Sequence, residues 1–487
     1  MQWMGLGGRG WIGLLLTMAG CPGGGDASTA EAPSTASTAE VPATTTASTS
    51  TTATTSTTAS TEGTTSTTAS TGVDPTTTAS TSASSAATDT SDGTSAATTG
   101  DLSTTTDSSG SEGTTGGACA PGFEACPSGC CVQVIPDRLI VGEHHTCALS
   151  MAGGVKCWGW AGLIGVDTDS SVPVQVPGLA ADVIGIAGGD DHTCALLSGG
   201  GVKCWGGNYW GGLGDGMPGI NIVVAPVSAV GLTDVTAIWA GRGTSCARRD
   251  GGEIWCWGRN DDGQLGLGTE SATVGVPTLA KELAGISVVA PASVHACGLA
   301  GGAVKCWGRN HLGQLGDGSL MNSVTPVEVS GLAQSASFIV ETNGAHSCAV
   351  AGDGSPVCWG NNDYGMFGNG DTQNVASLPQ LTIGLPGPVV ALSAGYRHTC
   401  AIVESGAVWC WGSGGSGQLG IGTSDDHFAP VEVVDLPAPA VAIAAGWSFT
   451  CARTIDDALY CWGNNSHGQL GTGNFDPTSK PVPVQGL

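Results

Sequence analysis

The stretch Asn343-Gly-Ala-His-Ser-Cys348, followed by Cys358-Trp-Gly-Asn-Asn-Asp-Tyr-Gly365, is one copy of a cassette that recurs down the chain. Cleaner copies read His-Thr-Cys-Ala, a Gly-bearing turn, Cys-Trp-Gly, then Gly-Gln-Leu-Gly. The cysteine of each Cys-Trp-Gly serves as a ruler: Cys157, Cys204, Cys256, Cys306, Cys358, Cys410 and Cys461 stand 47, 52, 50, 52, 52 and 51 residues apart. A period near fifty residues is the mark of a repeat architecture, so the repeat is the unit in which the rest must be read.

Each unit opens with a short apolar segment, such as Val183-Ile-Gly-Ile-Ala-Gly188 or Val441-Ala-Ile-Ala-Ala-Gly446. The segment with the first cysteine follows, as in His398-Thr-Cys-Ala-Ile-Val403. After a turn comes an alternating segment, Val202-Lys-Cys-Trp205 or Val304-Lys-Cys-Trp307. A long Gly-rich loop then leads to Pro-Val segments at 173–176, 326–329 and 430–433. That makes four short strands per unit and no helical periodicity long enough to count. Seven such units from residue 136 to 487 predict an all-β chain folded as a seven-bladed β-propeller, one unit to a blade.

These units resemble the repeats of the regulator of chromosome condensation family, whose members are seven-bladed propellers. The resemblance rests on Gly263-Gln-Leu-Gly-Leu-Gly268, Gly313-Gln-Leu-Gly-Asp-Gly318, Gly417-Gln-Leu-Gly-Ile-Gly422 and Gly468-Gln-Leu-Gly-Thr-Gly473. Gly212-Leu-Gly-Asp-Gly216 and Gly365-Met-Phe-Gly-Asn-Gly370 are degenerate copies, and the first unit, Trp158-Gly-Trp-Ala-Gly-Leu-Ile-Gly165, is the weakest. By resemblance alone, guanine-nucleotide exchange on a GTPase is implied. A secreted β-lactamase-inhibiting protein with this kind of propeller makes enzyme inhibition a further alternative.

Each unit also carries a cysteine pair: Cys147 with Cys157, Cys194 with Cys204, Cys246 with Cys256, Cys297 with Cys306, Cys348 with Cys358, Cys400 with Cys410, and Cys451 with Cys461. A spacing of nine or ten suits opposite positions on one hairpin, within reach of a disulfide. A second group, Cys119, Cys126, Cys130 and Cys131, forms a compact knot over residues 118–135. Two local disulfides fit it, three pairings remain open, and zinc is the alternative. Those eighteen leave one of the 19 cysteines, Cys21.

Cys21 ends Met18-Ala-Gly-Cys21 after a short apolar run, 11–19, too short to span a bilayer. This resembles the lipobox of bacterial lipoproteins, in which the cysteine is lipidated. Residues 1–21 therefore read as a lipoprotein-type signal peptide, with a plain cleavable signal as the alternative. Residues 22–117 are low-complexity Thr, Ser and Ala, without Lys or Arg, and cannot bury enough apolar surface to offset chain entropy. They read as a disordered tether of roughly 50 Å mean span.

The formal charge of −26 excludes a nucleic-acid binder, which needs a basic face, and docking on anionic lipid by charge. Membrane contact is expected only through the anchor. Histidines two before the first cysteine (His145, His192, His295, His346, His398) are replaced by Thr244 and Phe449 in two units, so they read as hydrogen-bonding groups within each blade and not as a metal ring. Asp190-Asp191, Asp261-Asp262 and Asp425-Asp426 read as turn chemistry, with calcium the alternative. No catalytic constellation, cofactor motif or metal site is present in the sequence.

The expectation is a monomeric, exported, non-enzymatic scaffold that binds a protein or glycan, anchored on the outer membrane or cell surface. Periplasmic or secreted forms, and a structural envelope role, are the alternatives. Thr269–Val276 and Ser319–Thr325, which differ most between units, are the expected contact loops. Ring closure is expected through Val482-Pro-Val-Gln485 pairing with the first unit.

Overall fold

The computed structural model describes residues 138–487, apart from 333–334 and 341–343, and the backbone of two further strands, Phe123–Cys126 and Gly129–Val132. The signal segment, the tether, Cys21 and Cys119 lie outside the described residues. The two short strands form an antiparallel hairpin that sets Ala125 opposite Cys130 and Glu124 opposite Cys131.

Residues 138–487 fold into seven antiparallel sheets of four strands, each a meander in chain order. The first blade is Leu139–Val141, His145–Leu149, Val155–Gly159 and Ser170–Gln175; the last is Ala440–Ala445, Phe449–Thr454, Leu459–Gly463 and Thr478–Pro483. The first strands of all seven blades surround a central channel. The unit whose sequence is weakest is a complete blade.

In every blade the two cysteines face each other across the second and third strands and are bonded, with Cα atoms 4.0–4.1 Å apart. Immediately after, the ladder slips: the Gly of Cys-Trp-Gly sits at a bulge against the fourth strand. In blade six this is Gly412, at φ +105°, where a Cβ would lie 2.6 Å from the carbonyl oxygen of Arg397. Only glycine fits such a position.

Blades adhere through the Cys-Trp-Gly tryptophans. All seven are fully buried. Trp205 of blade two, for example, enters the core of blade one among Cys147, Leu149, Val155 and Ile164. At 150–250 Å² apiece, such rings contribute on the order of 4–6 kcal/mol each from area alone, before entropic costs. Six of the seven indoles, all but that of Trp158, donate to a carbonyl of the preceding blade's Gly-rich loop, among them Trp257 to Gly212, Trp307 to Gln264, Trp359 to Gln314 and Trp462 to Gln418, at 2.8–2.9 Å. Two residues after each of these carbonyls the loop carries a glycine, as at Gly420, whose Cα lies on the Trp462 indole with no room for a Cβ.

Closure of the ring differs from expectation. Val482 pairs with Cys461 inside the last blade, and no strand passes to the first. Both terminal blades already have four strands, so neither has an edge that needs one. The seam closes as the others do, by a loop on a neighbouring sheet: Gly473 N–H donates to Ser171 O at 2.8 Å, the counterpart of Gly422 N–H to Ser479 O. Thr146 Oγ1 donates to Gln469 O, and Phe449 packs with Leu139, Val141 and Trp158.

Candidate binding face

Two sets of turns share one face of the propeller. The turn between a blade's first and second strands lies inside, and the loop between its third and fourth strands lies outside. A backbone bond joins them in blade after blade: Trp160 N–H to His144 O, Arg259 to Gly243, Ser413 to Arg397, Asn464 to Ser448, at 2.8–2.9 Å.

Beneath this face lie the repeated histidines, and they correct the expectation of bonding within the blade. Each reaches the next blade: His145 Nε2 contacts Thr193 Oγ1, His192 contacts Ser245, His295 contacts Ser347, and His398 contacts Thr450, at 2.6–2.8 Å. Side chains alternate along the second strand, and these positions point at the neighbouring sheet. The hydroxyl hands its own proton to a loop carbonyl, as Ser347 does to Gln314 O and Thr450 to Gln418 O. The imidazole must then donate from Nε2. Nδ1 of His145, His295 and His398 has no hydrogen-bond partner among the described residues. Burial drives the pKa of these three down to about 3, and that of His346 to about 4. They are neutral structural groups. Where blade three carries Thr244 instead, blade four carries Ala296 in place of the hydroxyl, so both halves of the pair are absent together.

A buried asparagine anchors the outer loops. Asn260 accepts from Leu265 N–H at 3.1 Å and donates to Thr269 O at 2.8 Å; Asn310 does the same with Leu315 and Ser319. This pins the base of the two loops singled out by sequence, which are exposed beyond it at Glu270, Leu320 and Met321. Gly414 occupies the asparagine's place in blade six, and there Asp426 accepts the backbone N–H from across the loop at 2.8 Å. Asp261 likewise serves Arg259 and Gln264. Among the described residues no acidic group is arranged to hold a metal ion.

Across the channel mouth runs a ladder of planar side chains. Arg397 lies 4.4 Å from the Tyr364 ring and 5.1 Å from that of Tyr396. Tyr396 stacks on Trp447 with centroids 3.9 Å apart. Arg242 sits over the Trp447 ring, 5.7 Å from its centroid, and its Nε is 3.6 Å from Asp190. These residues come from blades five, six, seven, three and two. Blades three and seven are not neighbours, so the Arg242–Trp447 contact crosses the mouth. Burial raises the Asp190 pKa to about 8 against the pull of Arg242. A further cation–π pair is Arg259 over Trp210 at 5.0 Å. Trp, Tyr and Arg in a cluster are what protein-binding hot spots are made of.

The repeat pattern does not point to this ladder. Its signal lies in the inner turns, where Arg242-Gly243, Tyr396-Arg397 and Trp447-Ser448 stand in register with Gly344-Ala345 and Ser293-Val294. Arg397 is exposed and Arg242, Tyr396 and Trp447 are half-buried, packed on one another and not in a blade core. The cysteine pairs lie elsewhere, in the blade interiors. For Cys126, Cys130 and Cys131 only the backbone is described, so the knot's pairing is outside the described residues.

The regulator of chromosome condensation (RCC1) repeat model matches residues 251–298, 353–402, 405–453 and 456–487, and a second model of the same repeat matches 183–209, 235–264, 389–418 and 440–469. The chain belongs to the regulator of chromosome condensation repeat family. Among relatives of this family, it is 33% identical over 282 residues to the ultraviolet-B receptor UVR8 of Arabidopsis thaliana, covering 57% of this chain and 64% of the receptor. It is 31% identical over 253 residues to the E3 ubiquitin-protein ligase HERC2 of Homo sapiens, covering 48% of this chain and 5% of the ligase. The chain thus spans less than two thirds of these relatives' own length. Yeast RCC1 (Prp20), solved bound to Kap60, has the same fold, with a TM-score of 0.61, 22% identity, and coverage of 72% of this chain and 87% of that one.

Proposed function

We propose that this chain is an exported, non-catalytic binding scaffold, held to the cell envelope by a lipid on Cys21, that engages a protein or glycan through the ladder face. The observation that carries the reading is the cluster of Tyr364, Arg397, Tyr396, Trp447 and Arg242 at the centre of that face. A guanidinium stacked on a ring is held in place and keeps its N–H edge for a partner, so little entropy is lost on binding. Seven disulfides suit an oxidising compartment. Another propeller of this fold meets proteins: Prp20p of Saccharomyces cerevisiae has binding properties toward Gsp1p and histones.

The experiment is affinity capture by the full oxidised chain from envelope and secreted extracts, followed by measurement of Kd for each retained species. The variant Arg242→Ser/Arg397→Ser is expected to weaken the Kd at least tenfold. An unchanged Kd with that variant, but a loss on replacing Thr269–Val276 and Ser319–Thr325, moves the site to the outer loops. Nothing retained by the folded chain favours a structural role. Palmitate labelling that survives Cys21→Ser refutes the anchor.

A further inference from the structure

The channel below the ladder encloses a cavity of about 690 Å³, within the size range of ligand sites. Its wall is built from the first strands of all seven blades and is largely aliphatic. Among the described residues that line it, Arg248 is the only ionisable side chain. In a chain with 40 acidic and 14 basic residues, the one charge in the channel is positive.

Arg248 stands at the end away from the ladder, where it also borders a side hollow between blades three and four. Its Nη1 donates to Ser287 O at 2.7 Å and its Nε to Thr236 Oγ1 at 3.4 Å. Nη2 has no acceptor among the described residues. The two bonds fix the fork and leave Nη2 to donate to an anion. The opposite end is crossed by Arg242 and Trp447. Each end therefore carries a guanidinium, Arg242 facing Asp190 at the roofed end and Arg248, with no carboxylate beside it among the described residues, at the other, and the wall between them is apolar.

We propose that the channel is a binding pocket for an anionic amphiphile, an alkyl chain lying along Ile140, Ile186, Ile238, Phe338, Val390 and Ile443 with its carboxylate or phosphate on Arg248. The pocket is independent of the ladder-face reading, and neither stands or falls with the other.

The test is calorimetric titration of the full oxidised chain with dodecanoate, dodecyl phosphate, dodecanol and dodecyltrimethylammonium, each below its aggregation threshold. One-to-one binding of an anion is expected, with the cation at least tenfold weaker. The stronger of the two anions identifies the head group. Arg248→Met is expected to weaken the anion at least tenfold and leave dodecanol unchanged. Ser393→Trp fills the channel and is expected to abolish all binding. Blade three already carries Trp239 at the same register, opposite its cysteine, so the fold admits the ring. Ser393→Ala, which removes only the bond to Ala445 N–H, is expected to bind normally. No binding by the unmodified chain, equal affinity for the cation, or undiminished binding by Ser393→Trp overturns the proposal.

Discussion

Acidification from pH 7 to pH 5 is expected to destabilise the propeller strongly, through the buried histidines. His145, His295 and His398 have folded-state pKa values of about 3, and His346 of about 4, against an ordinary value of 6.5. A histidine depressed in the fold takes up its proton first in the unfolded chain. Stability is therefore intact above pH 6.5 and drains away as pH falls toward the folded pKa. At pH 5 each group costs about 1.5 pKa units, or about 2 kcal/mol, so the four together cost about 8 kcal/mol. Asp190 works the other way. Its pKa of about 8, raised from 3.8, means the fold holds a proton that the unfolded chain has lost, and acidification to pH 5 returns about 3 kcal/mol. The net loss is about 5 kcal/mol, comparable with the whole stability of many domains.

The assay is denaturant unfolding of the oxidised chain at pH 7, 6, 5 and 4, with the midpoint converted to free energy. His398→Phe supplies the internal control, since blade seven already carries Phe449 at this position. It removes one titrating group, so the slope between pH 4.5 and 6 is expected to fall by about 1.4 kcal/mol per pH unit. A midpoint that is flat or rises between pH 7 and pH 5, or a slope unmoved by His398→Phe, refutes the argument that these imidazoles are neutral between the blades.

Three other outcomes are expected. Gly412→Ala places a Cβ against the Arg397 carbonyl at positive φ and is expected to cost about 3 kcal/mol or more, while Gly415→Ala, with open space around it, leaves thermal unfolding unchanged. Replacing Cys400 and Cys410 together by Ser opens a loop of about ten residues and is expected to lower unfolding free energy by roughly 2.5–3 kcal/mol, read under non-reducing conditions. Trp462→Phe keeps most of the ring but leaves Gln418 O with only its bond from Thr450, for an expected loss of about 0.5–1.5 kcal/mol by denaturant titration.

Much of the architecture is written locally. Cys400 and Cys410 are ten residues apart on one hairpin, so strand pairing alone sets them opposite each other, and the same arithmetic repeats in each unit. The period, the four strands per unit and the glycine after each Cys-Trp are likewise short-range, because register and turn geometry act over a few residues. Even the buried asparagine that clamps the outer loop in five of the seven blades reaches only five residues ahead for its acceptor bond.

Tertiary structure decided whatever depends on how blades face one another. A histidine in His-Thr-Cys shows that a polar group recurs, but its partner is the hydroxyl about fifty residues on, because a strand's side chains point at the next sheet and not along their own. Closure by loop contact instead of strand exchange follows from both terminal sheets being complete, which no single segment reveals. The ladder joins Tyr364, Arg397, Tyr396, Trp447, Arg242 and Asp190 over five blades. Asp190, Arg242, Tyr396 and Trp447 share one repeat position, two before the histidine site, but the side chain there differs from blade to blade, so the repeat does not show that they touch. They meet because ring closure turns the inner end of each blade toward one axis, and a shared axis is a property of the closed ring rather than of any repeat.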